Sequence, residues 1–214
     1  MTFLFFTFKL KKLSKLKLFM VFSLEKDPID LFSRWYKEVL NQDPNIMTLA
    51  TCNKDCIPSA RIVLLKRYSK EGFIFFTNIN SRKGKELLEN PAASLVFHWI
   101  EVSRQVRVEG SVKLLDNDKS DEYFSSRSRN SKISAWCSKQ SSIMLNWENF
   151  EHEIKLAEQK FHDKEIPRPD FWLGFCIAHK TVEFWQEGEH RRHVRFKYTF
   201  AEKNSCWKID QLYP

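Results

Sequence analysis

Residues 105–115 read QVRVEGSVKLL, and this stretch decides the fold. Val106, Val108, Gly110 and Val112 alternate with Gln105, Arg107, Glu109 and Ser111. A period of two sends neighbouring side chains to opposite faces, so the segment predicts a strand with one buried face. Upstream, Ile46–Cys52, Ser59–Lys66, Phe73–Thr77 and Ala93–Ile100 are strand-like, with turns at Asn53-Lys54-Asp55 and Lys70-Glu71-Gly72. Downstream, strand character returns over Trp172–Ala178, Thr181–Gln186, Arg191–Phe200 and Cys206–Leu212.

Helical patterns fall between the strands. Asp27-Pro28 opens the first, because Asp caps a helix and Pro is tolerated in its first turn. Ile29, Phe32, Trp35, Tyr36, Val39 and Leu40 follow at helical spacing, and Asp43-Pro44 ends the run. Ser81–Leu88 is a short helix stopped by Asn90-Pro91. Asp116–Phe161 is helical, with Asn146-Trp147-Glu148 opening a long amphipathic stretch before Pro167 and Pro169. Mostly antiparallel strands with helices inserted between them predict a mainly β architecture, a barrel with peripheral helices.

With 214 residues, 19 Phe and 7 Trp, the chain can bury a sizeable core. Only 5 Gly occur, which argues against a Gly-rich phosphate cradle and for anion binding by side chains. The formal charge of +8 is concentrated: Lys9, Lys11, Lys12, Lys15 and Lys17 lie in the first twenty residues, where no acid occurs. A body that is close to neutral lacks the broad basic footprint of a nucleic-acid binder. Residues 1–24 form a basic, apolar leader, expected to be mobile and distinct from a domain over 25–214. Its apolar runs are too interrupted by Lys for stable membrane insertion. The odd, scattered set Cys52, Cys56, Cys137, Cys176 and Cys206 fits reduced, buried thiols in a cytoplasmic protein and no metal site.

Three clusters could carry chemistry. Arg191, His193 and Arg195 would share one face of a strand, where such groups invite an anionic or electron-rich ligand; a solvated basic edge strand accounts for the same pattern. Tyr123, Arg127 and Ser131 stand at i, i+4 and i+8, and share a face if helical phase holds across Arg129-Asn130. Such a set can surround a phosphate dianion, though spacing alone equally describes a solvated helix face. Arg61 and Lys66 have opposite strand parity and so serve different groups, unless a bulge intervenes. Ser81, Arg82 and Lys83 open a helix, a favourable place for an anion, and Gln105 could meet a polar heterocycle.

The blocks RIVLLK (61–66), FFTNINSRKGKELLENP (75–91), RQVRVEG (104–110), YFSSRSRNSKISAWCSKQSS (123–142), FWLGF (171–175), VEFWQEGEHRRHVRF (182–196) and WKIDQLYP (207–214) follow one another as in the pyridoxamine 5'-phosphate oxidase family, which the chain resembles from about Asp27 to its end. The resemblance implies an FMN-binding split β-barrel and a homodimer with FMN at the subunit interface. It implies FMN contacts from Arg61, Ile62, Val63, Leu64, Lys66, Phe76, Thr77, Arg82, Lys83, Gln105, Gln140, Ser141, Trp185 and Arg195. Substrate contacts would come from Lys66, Tyr123, Arg127, Ser131, Arg191 and His193, the last two acting at the reacting carbon. The implied reaction oxidises pyridoxamine 5'-phosphate or pyridoxine 5'-phosphate to pyridoxal 5'-phosphate, with hydride passing from C4' to flavin N5 and O2 as final acceptor. Three positions depart from the family pattern: Phe76 replaces a common Tyr, Glu187 a Gly and Val194 an Asp. A split-barrel relative with other flavin or deazaflavin chemistry, or a flavin or B6-vitamer binding protein without turnover, would share the barrel; the first would lack the Tyr123 and Arg191 sets.

Overall fold

The computed structural model describes residues 23–214. Apart from Ser23 and Leu24, the predicted leader therefore lies outside the described residues.

Nine strands form one antiparallel sheet: β1 (Ile46–Cys52), β2 (Pro58–Leu64), β3 (Arg67–Ser69), β4 (Gly72–Asn78), β5 (Ala92–Trp99), β6 (Arg104–Leu114), β7 (Trp172–Gln186), β8 (Val194–Ala201) and β9 (Cys206–Leu212). Their order is β2-β1-β5-β6-β7-β4-β3, while β8 also pairs with β7 and carries β9. The helices are α1 (Pro28–Lys37), α2 (Arg82–Glu89), α3 (Asn117–Ser125), α4 (Arg129–Cys137) and α5 (Trp147–Lys160). Strands β4 and β8 share one edge of β7 in succession: β4 pairs with Trp172–Ile177 and β8 with Thr181–Gln186. That division of one long strand between two partners is what splits the barrel.

Helix α1 forms as its sequence predicts, with the Asp27 carboxylate accepting from the Ile29 N–H at 2.9 Å. It plugs the barrel. The Phe32 ring lies 5.0 Å from both Phe73 and Phe97, 4.8 Å from Tyr68 and 5.6 Å from Trp99. Trp35 is fully buried against Phe184. The helix stops at Lys37, leaving Leu40 exposed, so the predicted apolar face runs one turn too far.

Other boundaries differ for physical reasons. The two strands expected over 172–186 are one, because a register shift at Glu109/Gly110 lets Lys180 bulge out of the pairing while β7 continues. Gly110 is needed there, since a Cβ would stand 2.1 Å from the Ala178 carbonyl oxygen. Strand β2 ends at Leu64, and the chain then changes partners: Leu65 N–H donates to Asn45 and Lys66 N–H to Ile74. Buried thiols are not the rule either, for Cys56 and Cys206 are exposed and the other three half-buried. All five are free. Among the described residues, no helix is long and apolar enough to cross a membrane.

Candidate active site

A cavity of about 630 Å³ opens between β2, the end of β4 and helices α3 and α4. A second apolar cluster supports its floor, built on Phe124, Ile133, Phe161, Ile166 and Trp172. Phe76, Tyr123 and Trp172 stack there: Phe76 lies 4.3 Å from Tyr123 and 5.4 Å from Trp172, with all three rings within 18° of parallel. Gly174, opposite Phe76 in the register, leaves room for this; a Cβ at 174 would be 2.6 Å from the Phe76 ring.

The cavity gathers Lys66, Tyr123, Arg127 and Ser131, together with Ile62, Val63, Leu64, Phe76, Thr77, Lys83 and Gln140. The route differs from the predicted one. Tyr123, Arg127 and Ser131 do not lie on one continuous helix, because α3 ends at Ser125 and Ser128 caps α4. The three still line one wall because the two helices meet there.

The cavity lining is cationic. Lys83 is 9% exposed, and its ammonium donates to Gln140 Oε1 at 2.8 Å and Thr77 Oγ1 at 3.1 Å, both neutral. Burial, and then the charge of Arg61, push it down to about 8. The Arg127 guanidinium lies 4.7 Å above the Trp172 ring, and its buried Nη1 has no hydrogen-bond partner. Burial pushes Arg127 down as well. The Lys66 ammonium sits 5.5 Å from the Tyr123 ring centre. Among the described residues, none of these three cations has a carboxylate partner. Lys66 is exposed, but for Lys83 and Arg127 a desolvated charge without a counter-charge is costly, so the arrangement fits phosphate-bearing ligands.

Arg61 and Arg82 stand outside the lining, joined through Glu86. The parity comparison of Arg61 with Lys66 does not apply, because β2 ends at Leu64 and Lys66 lies off the strand. Sequence inspection missed Thr51, Ser59 and Glu86, although Arg82 and Glu86 at i, i+4 carried a legible pairing signal. Trp172, in the FWLGF block, also lines the cavity and carries no spacing signal that points there.

The other predicted residues form a second group. Gln105, Trp185 and Arg195 are direct cross-strand neighbours on β6, β7 and β8. Glu183 grips Arg195 at Nε (2.9 Å) and Nη2 (2.8 Å), and the His193 ring centre lies 4.7 Å from that of Trp185. Arg191 and His193 are not on the strand with Arg195, which begins only at Val194. Arg191 closes a 3-10 turn over Glu189–Arg191, with His190 at φ 56° and Arg191 at φ 62°. The shared strand face is thus replaced by a tight turn. Glu187 is accommodated, its N–H donating to the Ser103 carbonyl at 3.0 Å. Ser141 follows Gln140 in a left-handed conformation, φ 70°. None of Gln105, Ser141, Trp185, Arg191, His193 and Arg195 lines the cavity within this chain.

An antiparallel split barrel with a cationic cavity at its side defines the FMN-binding split-barrel class. Residues 34–160 match the family model described as pyridoxamine 5'-phosphate oxidase, and residues 172–214 match the pyridoxine 5'-phosphate oxidase C-terminal dimerisation region. The pyridoxine/pyridoxamine 5'-phosphate oxidase of Wolbachia pipientis wMel is 67% identical, covering 91% of this chain and 91% of the relative. That of Ehrlichia chaffeensis is 54% identical, covering 89% and 100%. Among solved structures, PhzG from Burkholderia lata 383, in complex with tetrahydrophenazine-1-carboxylic acid, superposes with a TM-score of 0.82 at 27% identity, covering 90% of this chain and 95% of that one. The chain belongs to the pyridoxamine 5'-phosphate oxidase family.

Proposed function

We propose that the chain is an FMN-dependent oxidase that converts pyridoxamine 5'-phosphate and pyridoxine 5'-phosphate to pyridoxal 5'-phosphate with O2, as a cytoplasmic homodimer. The single observation that carries the site assignment is the cavity in which Lys66, Lys83 and Arg127 stand without carboxylate partners beside an aromatic stack. FMN, when bound, supplies the two-electron acceptor, and the protein supplies binding and orientation.

Arg127, Lys66, Tyr123 and Ser131 would hold the substrate phosphate. Arg127 brings an unused N–H, and Ser131, whose own N–H is capped by Ser128, would bring its hydroxyl at the N-terminus of α4, an end that favours anions. Gripping the phosphate fixes the far end of the substrate, so its binding energy orients the reacting carbon. Thr77, Lys83 and Gln140 form a connected polar wall for the flavin side. Arg191 and His193 would act at the reacting carbon. The Gly188 N–H donates to His193 Nδ1 at 3.3 Å, which places the proton of the neutral ring on Nε2 and makes it a donor. Because these two residues lie off the cavity within one chain, the dimer supplies the missing half: the turn and the Gln105, Trp185, Arg195 row of one protomer would face its partner's cavity.

The test is the visible flavin spectrum of FMN-reconstituted protein, recorded anaerobically before and after adding pyridoxine 5'-phosphate. Bleaching that reverses on admitting air is the expected result. A bound flavin that stays oxidised, with pyridoxamine 5'-phosphate also inert, would refute the assignment.

A further inference from the structure

We infer that Glu86 is a positioning residue for flavin-phosphate binding, its buried carboxylate aiming Arg61 and Arg82 at the anion that Lys83 also meets. The inference rests on the assignment of those two arginines to FMN.

Glu86 comes from α2, and its side chain is 6% exposed. Its Oε2 accepts from Thr51 Oγ1 at 2.5 Å and from Ser59 Oγ at 2.6 Å, and lies 3.3 Å from Arg61 Nη2. Its Oε1 accepts from Arg82 Nε at 2.8 Å. One carboxylate therefore ties β1, β2 and α2 together and touches both guanidinium groups.

The pattern of used and unused donors gives the brace a direction. Arg61 spends its Nη atoms on Leu49, Thr51, Ser59 and Glu86, which fixes the plane of its guanidinium and leaves Nε as its donor without a partner among the described residues. Arg82 spends only Nε, and among the described residues its two Nη groups have no partner. Its side chain is 60% exposed, so without Glu86 a long flexible arm would sample many rotamers. With Glu86, the free Nη fork is held at the first turn of α2, on the side of Glu86 and Arg61. Three cations and one carboxylate leave two positive charges in excess, which matches a phosphate dianion. A carboxylate so close to an anion site would otherwise oppose binding, so its retention calls for a gain in orientation.

Titrating FMN and riboflavin into Glu86→Gln separates aim from general support. Riboflavin lacks the phosphate and reports the rest of the pocket. The FMN Kd should rise about tenfold while the riboflavin Kd stays within twofold. In an R61A/R82A background, E86Q should cost nothing further, because the residue acts through those two groups. Equal weakening of both flavins would make Glu86 a mere staple of α2 and overturn the proposal. So would unchanged or tighter FMN binding in E86Q when R61A or R82A alone weakens it. If neither arginine variant changes the preference for FMN over riboflavin, it is their assignment to FMN that falls. Ser59→Ala, a milder removal of one donor to Glu86, gives the same test should E86Q fold poorly, with a smaller loss of FMN affinity expected and no loss counting against the brace.

Discussion

Raising the pH from 7 to 9 should weaken FMN binding about tenfold, and Lys83 is the reason. This lysine is buried with only neutral partners, and burial followed by the charge of Arg61 pushes it down to about 8. A phosphate dianion against the ammonium favours the charged form, so the value in the complex lies higher than in the free protein. Well below pH 8 the free protein already carries the proton, and the Lys83 contribution to affinity is flat. Above pH 8 it must take up a proton as it binds, and Kd rises towards tenfold per pH unit until the pH passes the value in the complex. At pH 9 roughly one free molecule in eleven holds the ammonium, a penalty of about 1.4 kcal/mol. Quenching of FMN fluorescence, titrated at pH 7, 8 and 9 at constant ionic strength, reads this directly. Lys83→Arg should remove the slope, because guanidinium does not titrate in this range. A wild-type Kd constant within twofold from pH 7 to 9, or an equal rise in Lys83→Arg, would refute the reasoning.

Arg191→Ala should lower turnover about a hundredfold while FMN binding stays within twofold, since its turn faces substrate in the proposed dimer; steady-state kinetics beside a flavin titration check it, and unchanged kinetics remove Arg191 from the mechanism. Arg127→Met should raise KM for pyridoxine 5'-phosphate by about 30–100-fold through loss of charged hydrogen bonds, with little effect on unphosphorylated pyridoxine. An equal effect on both compounds would mean that Arg127 serves the stack and not the phosphate. Gly174→Ala forces a Cβ to within 2.6 Å of Phe76 and 2.7 Å of Leu115. It should cost about 1–3 kcal/mol, seen as a Tm several degrees lower, and an unaltered Tm would show that the stack can shift freely.

The strands were legible because burial imposes a period of two, and Val106, Val108 and Val112 are buried as their alternation predicts. Helix α1 was legible from its cap and apolar stripe. What failed were places where tertiary pairing overrides local pattern. His179-Lys180 looks like a break between strands, yet pairing to β6 on one edge, and to β4 and β8 on the other, carries the chain through with a bulge. Arg191 looks like the start of a strand, yet it closes a turn of consecutive left-handed residues, for which Arg191 carries no sequence signal and His190 only a weak one. The cavity residues were partly legible from spacing and more fully from resemblance. Their convergence was not, because the interruption at Ser126–Ser128 destroys the helical phase on which the i, i+4, i+8 reasoning depended. Glu86 escaped because an acid one turn after Arg82 in a basic helix reads as surface charge pairing until its burial is known.

Charge pairing separates two kinds of cation in this molecule. Arg34, Arg61, Arg104, Arg168 and Arg195 each meet a carboxylate: Glu25, Glu86, Glu38, Asp121 and Glu183 respectively. Lys66, Lys83 and Arg127 meet rings, hydroxyls and an amide instead. The difference cannot come from a shortage of acids, since 27 are available. Leaving Lys83 and Arg127 desolvated without a counter-charge costs stability in the free protein, and in the proposed function an incoming phosphate would supply the missing partner. Binding that relieves such a cost must stabilise the folded state as it saturates, by RT ln(1 + [L]/Kd). In the proposed function the unpaired cations would therefore mark where ligand completes the structure. The paired arginines mark where the chain has already completed itself, and Arg61, braced by Glu86 yet close enough for its charge to reach Lys83, lies at the boundary between the two.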